Sequence, residues 1–305
     1  MFISIKKHII KDDGEFTMDE KPVLGVIGGS GLYDISGLTE TKLYDLDTPF
    51  GRPSAPLVLG VLEGQRVAFL ARHGIGHHIS PSEVNYQANI YAMKSLGVKR
   101  IISISACGSL REDYAPGHIV VPDQIFDFTR GRQRSFFSNG VVVHIGTADP
   151  FCPDLSERLF QALTSVGAKS HRGGTYITIE GPRFSTKAES NLYRTWGMSV
   201  IGMTASPEIF LAREAEICYT TMAHVTDYDV WHTSEEPVSV EMIIRTLNQN
   251  TQVAQDGIRK LLHNLPEKPE CNCDSALANT LITRPEVISP DARRKLDLLI
   301  GKYLK

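Results

Sequence analysis

Residues 23–32, with the sequence VLGVIGGSGL, join a short apolar run to a glycine cluster. The apolar part predicts a buried strand. Glycines directly after a strand let the backbone turn sharply, so that successive N–H groups and the Ser30 hydroxyl can point at one anion. An ordinary glycine turn is the alternative. The dinucleotide fingerprint would need a third glycine, and the nucleoside-triphosphate loop would need Gly-Lys-Ser/Thr, so neither motif explains the cluster.

Short β-rich runs alternate with longer helical patterns along the rest of the chain. Strand patterns occur at 57–62, 66–71, 101–106, 119–122, 175–179 and 219–225, and helical patterns at about 81–96, 153–166, 186–196, 207–216 and 239–264. This alternation predicts an α/β fold in which helices flank a mixed central β-sheet.

Three segments are expected along the chain. Residues 1–20 are a polar N-terminal extension, residues 21–265 are a single α/β domain, and residues 266–305 are a C-terminal appendage with a helix at about 291–304. The boundary rests on the sequence PEKPE at 266–270, where two prolines and three charges close the preceding helical pattern.

Composition excludes several classes of protein. The chain has 305 residues, 42% hydrophobic residues and a formal net charge of −3, so it can bury a large core but is too balanced in charge to indicate nucleic-acid binding. Its apolar runs are too short to cross a bilayer. We therefore expect a cytoplasmic protein without a membrane anchor.

Five cysteines are too few and too scattered to indicate a disulfide scaffold in a chain of this length. The pair Cys271 and Cys273 is the exception, because two thiols one residue apart can form a strained redox pair or bind a soft metal. No second cysteine or histidine cluster lies nearby in sequence, so a reduced tail segment is favoured over zinc. The sequence thus predicts no metal.

Polar residues cluster where the predicted strands end, and ligands of open α/β sheets bind beyond the carboxyl ends of strands. Arg72 and His73 follow one strand and offer a charged fork beside a titratable donor, which suits phosphate. Ser105 ends a second strand with a hydroxyl. Glu180 and Phe184 follow a third, where a carboxylate and a ring could contact a base. Each of these has a structural alternative. Arg72 could lie on the surface beside a core histidine, Ser105 could belong to a tight strand-to-helix crossing, and Phe184 could be a core residue.

Asp227 and Asp229 follow the apolar run 219–225 and would point to one face of an extended chain. Buried like charges are costly unless a proton is shared, and a protonated carboxyl could bond a purine at its ring nitrogen and exocyclic amine. A metal pair is the rival interpretation, although His224 and His232 fit the required ligand spacing only loosely.

Eight motifs occur in the order in which one enzyme family has them. They are GGSGL at 28–32, TPFG at 48–51, ARHG at 71–74, VNYQAN at 84–89, ACGSLR at 106–111, EGPRFS at 180–185, RTWG at 194–197 and TDYD at 226–229. Together they resemble the S-methyl-5′-thioadenosine phosphorylases of the trimeric purine nucleoside phosphorylase family, over about residues 24–265. The resemblance implies the phosphorylase/hydrolase-like fold. It also implies conversion of methylthioadenosine and phosphate to adenine and 5-methylthioribose 1-phosphate, with phosphate as co-substrate and no metal or organic cofactor.

The resemblance also implies roles for individual residues. Phosphate is held in the family by positions that match Ser30, Arg72, His73, Ser105, Ala106 and Thr204; many members have Thr in place of Ser30. The purine and ribose are surrounded by positions that match Phe184, Met203, Asp227 and Asp229. Substrate choice is tuned by positions that match Ser185, Val240 and Ile243, the last two forming an apolar slot for the methylthio group. His144 matches a residue that reaches into the neighbouring subunit's site.

The expected chemistry follows from charge. As the glycosidic bond stretches, the ribose becomes cation-like and the purine gathers negative charge, so phosphate should face the sugar and a protonated Asp227 should donate to the purine ring nitrogen. An aspartate at this position favours adenine-type bases. A phosphorylase of methylthioinosine or of general purine nucleosides is one alternative, and a nucleoside-sensing binding protein is another.

We also expect a homo-oligomer, either a trimer or a dimer of trimers, if His144 completes a neighbouring site. The segment 135–137, Ser-Phe-Phe, offers an apolar surface that such an oligomer could cover, and a local core contact is the alternative.

Overall fold

The computed structural model describes residues 9–10, 21–29, 35–232 and 240–304, with the backbone alone described at 9–10, 240, 242–245 and 247–249. The strands are β1 Ile9–Ile10, β2 Leu24–Gly28, β3 Thr39–Tyr44, β4 Leu57–Leu62, β5 Gln65–Ala71, β6 Arg100–Ser109, β7 Ile119–Val121, β8 Gln124–Phe128, β9 Ser170–Arg172, β10 Thr175–Ile179, β11 Val200–Gly202 and β12 Cys218–Asp227. The α-helices are α1 Tyr86–Ser95, α2 Pro153–Ser165, α3 Lys187–Thr195, α4 Ala205–Glu214, α5 Val240–Asn264 and α6 Pro290–Ile300.

One mixed sheet contains all of these strands, as the sequence predicted. Its centre is parallel, in the order β5, β2, β6 and β12. β4 and β3 extend it past β5 in antiparallel fashion. Every residue of β2 and β12 is buried, which is typical of strands whose two faces are both covered by helices.

Helices cover both faces of the sheet, so the molecule has three layers. Alternate residues of β5 point to opposite sides, because successive side chains of a strand face opposite ways. Leu70 joins a core with α1, α4 and α6, whereas Phe69 joins a second core with α2 and α5. Gly25 in β2 brings the sheet close to α1, since a Cβ there would lie 3.0 Å from Met93 Sδ.

The long strand β6 brings several strand ends together. Its first half pairs with β2, β12 pairs along most of its length, and its end pairs in antiparallel fashion with β11. On its other side β11 pairs with β10, and β10 pairs with β8, with all three strands parallel to one another. The carboxyl ends of the parallel strands β2, β5, β6 and β12 therefore lie on one side of the sheet, where a ligand is expected, whereas β10 runs antiparallel to β6.

Helix α1 begins five residues later than its pattern predicted, at Tyr86. Asn85 accepts a hydrogen bond from the N–H of Ala88, which caps the helix. Residues 81–84 form a turn instead of a first helical turn. A side-chain cap satisfies backbone donors that the helix cannot, so the asparagine fixes where this helix starts.

Of the two alternatives for residues 135–137, the local core contact is confirmed and the apolar surface is wrong. Phe136 is only 1% exposed and Phe137 is 9% exposed. The ring of Phe136 packs edge-on against Phe50, with ring centroids 5.0 Å apart. Both phenylalanines belong to the core of the same chain, so an oligomer has no need to cover them.

The segment after residue 265 packs against the domain through its own helix and a backbone pairing. The N–H of His144 donates to Thr280 O, and the N–H of Val142 donates to Thr283 Oγ1. Glu216 accepts hydrogen bonds from the Leu277 N–H and the Tyr303 hydroxyl. None of the described helices combines the length and the apolar character that a bilayer crossing requires.

Candidate active site

Asp227 lies at the end of β12, where the strand pairing changes register. An irregularity between Val225 and Asp227 lets the carboxylate leave the regular strand pattern. Asp227 is 6% exposed; its Oδ2 accepts from Thr226 Oγ1 at 2.7 Å and its Oδ1 from the Asp229 N–H at 2.8 Å. Burial raises the pKa of Asp227 to about 6 and the charge of Asp229 adds to the effect, although both hydrogen bonds oppose it.

Asp229 follows in a left-handed backbone conformation, with φ at 50°. Burial raises the pKa of its carboxyl as well. Its Oδ2 is buried and makes no well-formed hydrogen bond with the described residues. Gly108 lies directly opposite, because an added Cβ would be 3.0 Å from Asp227 Oδ1 and 3.1 Å from Asp229 Cβ. The two carboxyls thus share a tight, poorly hydrated corner that favours proton retention.

The rival metal-pair interpretation finds no support in the two histidines nearby. Neither ring nitrogen of His224 has a hydrogen-bond partner among the described residues. His232 stacks on Tyr228 with ring centroids 4.5 Å apart, and its Nε2 lies 3.4 Å from a carboxylate oxygen of Glu112. Neither histidine therefore joins the two aspartates.

Arg72 is buried, but it is not the free fork that the sequence suggested. Its Nε and Nη2 donate to Glu208 at 2.7 and 2.9 Å, forming a bidentate ion pair inside the protein. Nη2 also contacts Ser103 Oγ at 2.7 Å, and Nη1 donates to Ile104 O at 3.1 Å. The edge that would grip a phosphate in bidentate fashion is occupied by Glu208. The guanidinium can reach an added anion only from its Nη1 side.

His73 follows Arg72 and keeps one ring nitrogen for the site. Its Nδ1 lies 2.9 Å from Ile79 O, which fixes the neutral ring as an Nδ1–H donor. Burial lowers the pKa of His73 to about 4, and the positive charge of Arg72 acts in the same direction. The remaining Nε2 is therefore unprotonated near neutral pH until a negative charge arrives.

Two hydroxyl groups of the expected phosphate set differ in their place in the fold, because Ser105 lies within β6 and not at its end, as the sequence had suggested, and Thr204 lies at the start of α4. Ser105, in β6, has its Oγ 3.3 Å from the Tyr176 hydroxyl, and Ala106 follows it. Thr204 is buried immediately before α4 and makes no capping hydrogen bond with its side chain. Ser30 lies outside the described residues, so the structure says nothing of its position.

Glu180 is not the base contact that the sequence allowed. Its carboxylate accepts from the N–H groups of Arg130 and Gly131, from Ser82 Oγ and from the Arg132 guanidinium. Burial alone would raise its pKa, but the hydrogen bonds from these donors lower it to about 2. Both of its carboxylate oxygens accept from neighbouring segments, so Glu180 ties the end of β10 to Ser82 and to residues 130–132.

Arg132 is a residue that sequence reasoning missed. Its buried guanidinium donates to the carbonyls of Met203, Ser206 and Glu180, all at 2.7 Å. It thereby ties the ends of β10 and β11 to the start of α4. The flanking sequence TRGRQR gives no signal for this role, since exposed arginines have the same appearance in a sequence.

The residues expected around the nucleoside differ in exposure. Phe184 is 39% exposed, whereas Ser185 is buried and its Oγ has no partner among the described residues. Met203 lies against Gly181, where an added Cβ would be 2.5 Å from the Met203 sulfur. The backbone at Gly181 has φ at 67°, a conformation that favours glycine.

Three further expected residues lie away from this corner or beyond the described side chains. His144 is exposed on the chain's surface. Val240 and Ile243 lie in the first turns of α5, and their side chains are outside the described part of the structure. The apolar slot proposed for them stays a prediction.

Comparison with known proteins identifies the family. The family model of the Phosphorylase superfamily matches residues 23–263. The chain belongs to this superfamily.

The alignments with named relatives cover most of this chain and most of each relative. It is 55% identical over 283 residues to an S-methyl-5′-thioadenosine phosphorylase of Geobacter sulfurreducens, covering 92% of this chain and 99% of the relative. It is 50% identical to the enzyme of that name from Hyperthermus butylicus, covering 86% and 96%.

Solved structures show the same likeness. A methylthioadenosine phosphorylase from an antarctic soil metagenomic library has a TM-score of 0.87 and 44% identity, covering 92% of this chain and 99% of the other. A methylthioadenosine phosphorylase from Schistosoma mansoni in complex with adenine has a TM-score of 0.79 and 33% identity, covering 86% and 99%. The predicted α/β phosphorylase fold is thus confirmed.

The electrostatic arrangement of this superfamily member has two distinct ends. One end holds two buried carboxyls, Asp227 and Asp229, whose pKa values are raised by burial. The other holds the Arg72–Glu208 ion pair beside a neutral His73. A buried acid that can give up a proton suits a reaction in which a base leaves.

Proposed function

We propose that this protein catalyses the phosphorolysis of S-methyl-5′-thioadenosine to adenine and 5-methylthioribose 1-phosphate. The observation that carries the proposal is Asp227, a buried carboxyl with a pKa raised to about 6 in a superfamily of phosphorylases. Relatives about 50% identical bear the name of this activity. Phosphate is the co-substrate, and the reaction needs no metal or organic cofactor.

At the sugar end, phosphate is both the nucleophile and the counter-charge of the cation-like ribose. We assign its binding to Ser30, Arg72, His73, Ser105, Ala106 and Thr204. Arg72 supplies charge from behind its ion pair with Glu208, so hydroxyl and backbone groups must provide most of the directional contacts. A phosphate dianion near His73 raises the pKa of the ring and lets Nε2 donate to a phosphate oxygen.

At the base end, Asp227 is the general acid. Its proton passes to the purine ring nitrogen as the glycosidic bond breaks, and the electron pair of that bond stays with the adenine. The bonds from Thr226 and the Asp229 backbone hold the carboxyl in position. Phe184 and Met203 contact the base and sugar, and Asp229 binds the nucleoside through its buried carboxylate.

The choice of substrate rests on a second set of residues. We assign the methylthio slot to Val240 and Ile243 in α5, and the tuning of base preference to Ser185. The Ser185 hydroxyl is buried and has no hydrogen-bond partner in the described part of the chain, which supports a role for it, because an unpaired buried polar atom gains free energy from a ligand contact.

The proposed functional unit is a homo-oligomer, a trimer or a dimer of trimers, in which His144 of one chain completes the next chain's site. The exposure of His144 supports this assignment. Its neighbours in space support it too, because Val142 is 47% exposed and Ile282, which bonds to Val142 O, is 59% exposed. Exposed apolar side chains beside a polar residue are typical of an interface.

A panel of nucleosides tests the activity. Adenosine, inosine and their methylthio forms are incubated with and without phosphate, and base release is followed by chromatography. Phosphate-dependent adenine release from methylthioadenosine supports the proposal. A preference for inosine or methylthioinosine would favour the alternative phosphorylase, and binding without base release would indicate a nucleoside sensor.

Mixed oligomers test the shared site. An Asp227→Asn chain and a His144→Ala chain, each inactive alone, are combined under conditions that exchange subunits. Mixed rings should regain part of the activity, since some interfaces pair an intact Asp227 with an intact His144 from next door. Sharing would be refuted if light scattering showed a monomer and that monomer were fully active. It would also be refuted if verified mixed rings regained no activity.

A further inference from the structure

Four of the five cysteines meet at one point of the fold, although they are far apart in sequence. The thiols of Cys152, Cys218, Cys271 and Cys273 all lie within 4.8 Å of one another. Here they are called the four-cysteine cluster. No other group of metal-binding side chains with this spacing occurs in the described part of the chain.

The fold explains what the sequence argument against zinc missed. That argument held that no second cysteine or histidine cluster accompanies Cys271 and Cys273, and it is wrong in three dimensions. Cys152 immediately precedes α2, and Cys218 is the first residue of β12. The N–H of Cys152 donates to Tyr219 O, so these two elements present their thiols to the same place. The segment after residue 265 then brings the paired cysteines against them.

The sulfur distances fit a tetrahedron around one ion. Zinc–thiolate bonds of about 2.3 Å place the four sulfurs of a tetrahedron about 3.8 Å apart. Cys152 Sγ and Cys218 Sγ lie 3.6 and 3.3 Å from Cys271 Sγ, and no pair of sulfurs in the cluster exceeds 4.8 Å. All four cysteines are free thiols rather than partners in disulfides.

Groups around the cluster favour thiolates. Cys152 caps the N-terminus of α2, where the helix dipole attracts negative charge, and its sulfur accepts from the Leu155 N–H at 3.4 Å. Arg213 Nη1 lies 3.6 Å from Cys273 Sγ. Arg100 pairs with Cys218 across adjacent strands and interacts electrostatically with the Cys218 and Cys271 thiols. Two guanidinium groups thus face the cluster.

We propose that the four-cysteine cluster binds one zinc ion in a closed structural site. Each thiol gives up its proton on binding, and four thiolates with one Zn²⁺ leave a net charge of −2, which the two arginines offset. Because all four ligands come from the protein and three of them are buried, no position is open to substrate. The ion therefore takes no part in phosphorolysis. It fixes the segment after residue 265 to α2 and β12.

Metal analysis of the purified full-length protein tests the proposal. The protein is expressed without a metal-binding tag, dialysed against metal-free buffer and analysed for metals, for reactive thiols and for intact mass. The expected result is about one zinc per chain, with five thiols that react with a thiol reagent only after unfolding with a chelator, namely the four of the cluster and the buried Cys107. Metal-free protein with reactive thiols would overturn the proposal. So would an intact mass lowered by the hydrogens that disulfide formation removes, or a stoichiometric metal other than zinc.

Two variants locate the ion. Cys273→Ser should lower the zinc content to well under half of the wild-type value, because only three thiolates remain. Cys107→Ser is the matched control, since Cys107 is buried elsewhere and should leave the zinc content unchanged. Equal zinc in both variants would overturn the assignment of the ligands. If Cys273→Ser does not fold, titration of the wild type with a chelator decides, because zinc loss must release four thiols together.

Cobalt provides a spectroscopic check on the wild type. Co²⁺ exchanged into the cluster should give the intense visible bands of a tetrahedral thiolate site, together with sulfur-to-metal charge transfer in the near ultraviolet. A spectrum of octahedral Co²⁺ would overturn the four-thiolate site.

Discussion

Replacing Asp227 with asparagine should stabilise the fold while it abolishes most of the activity. The carboxylate is buried, and its pKa is raised from 3.8 to about 6. A group whose pKa is raised in the folded state costs stability as pH rises, because the unfolded chain gives up its proton more readily. The neutral amide avoids this cost. Thr226 can still donate to Cys107 O, 3.2 Å away, while its oxygen accepts from the new amide.

The magnitude follows from the two pKa values. The gain of the variant over the wild type should be about 1 kcal/mol at pH 4.5 and about 3 kcal/mol at pH 8, at about 1.36 kcal/mol for each tenfold change in proton affinity. An unfolding entropy of about 2.1 cal/mol/K per residue converts the larger value to a rise in Tm of about 5 °C for this chain length. Turnover of methylthioadenosine should fall by at least about 10²-fold.

Differential scanning calorimetry at both pH values measures the stability, and steady-state kinetics with phosphate measures the turnover. Asp149→Asn is the matched control, because Asp149 is exposed and the same chemical change there should leave the pH dependence of Tm as in the wild type. A variant less stable than the wild type at pH 8, or a gain that does not grow from pH 4.5 to pH 8, would refute the buried-acid argument. Undiminished turnover would remove Asp227 from the general-acid role.

Other predictions concern the phosphate end and the carboxyl corner. Glu208→Ala should destabilise the fold by about 3–5 kcal/mol in urea denaturation, because it leaves the Arg72 charge buried without its partner. His73→Ala should raise the KM for phosphate more than that for nucleoside, and wild-type calorimetry in buffers of different ionisation enthalpy should detect proton uptake when phosphate binds near pH 8, where free phosphate is already the dianion. Gly108→Ala should lower kcat by about 10²-fold, since the added methyl would displace the Asp227 carboxylate; an unchanged kcat contradicts that contact.

Much of the fold could be predicted because its central strands are continuous apolar runs. β2, β4, β5 and β10 occur close to their predicted bounds. β3 was missed because its sequence TETKLY is mostly exposed and polar, and it pairs at the outer part of the sheet. The three-residue strands β9 and β11 were missed for another reason. A strand this short has no periodicity, and only its neighbours define it.

The site was predictable where a residue type indicates its chemistry and unpredictable where burial decides it. Two aspartates after an apolar strand predict carboxyls that lie close together, and the structure places both in one buried corner. The sequence around Arg72 does not distinguish a guanidinium that faces a ligand from one that faces a buried carboxylate, because its partner Glu208 lies 136 positions away. The four-cysteine cluster could not be predicted for the same reason, because Cys152 and Cys271 are 119 positions apart in sequence. Such long-range pairs exist only once the sheet has formed.

The pairing of residues 142–144 with residues 280–283 has a genetic consequence. Under the shared-site proposal, a substitution that displaces residues 280–283 frees the backbone of His144, while the variant chain keeps its own Asp227 corner. The damage then falls on the neighbouring chain, whose site receives the misplaced histidine. A cell that makes both wild-type and variant chains would carry impaired wild-type subunits in every mixed ring. The substitution would therefore behave as a dominant mutation, even though the variant chain keeps all the residues assigned to its own catalytic centre.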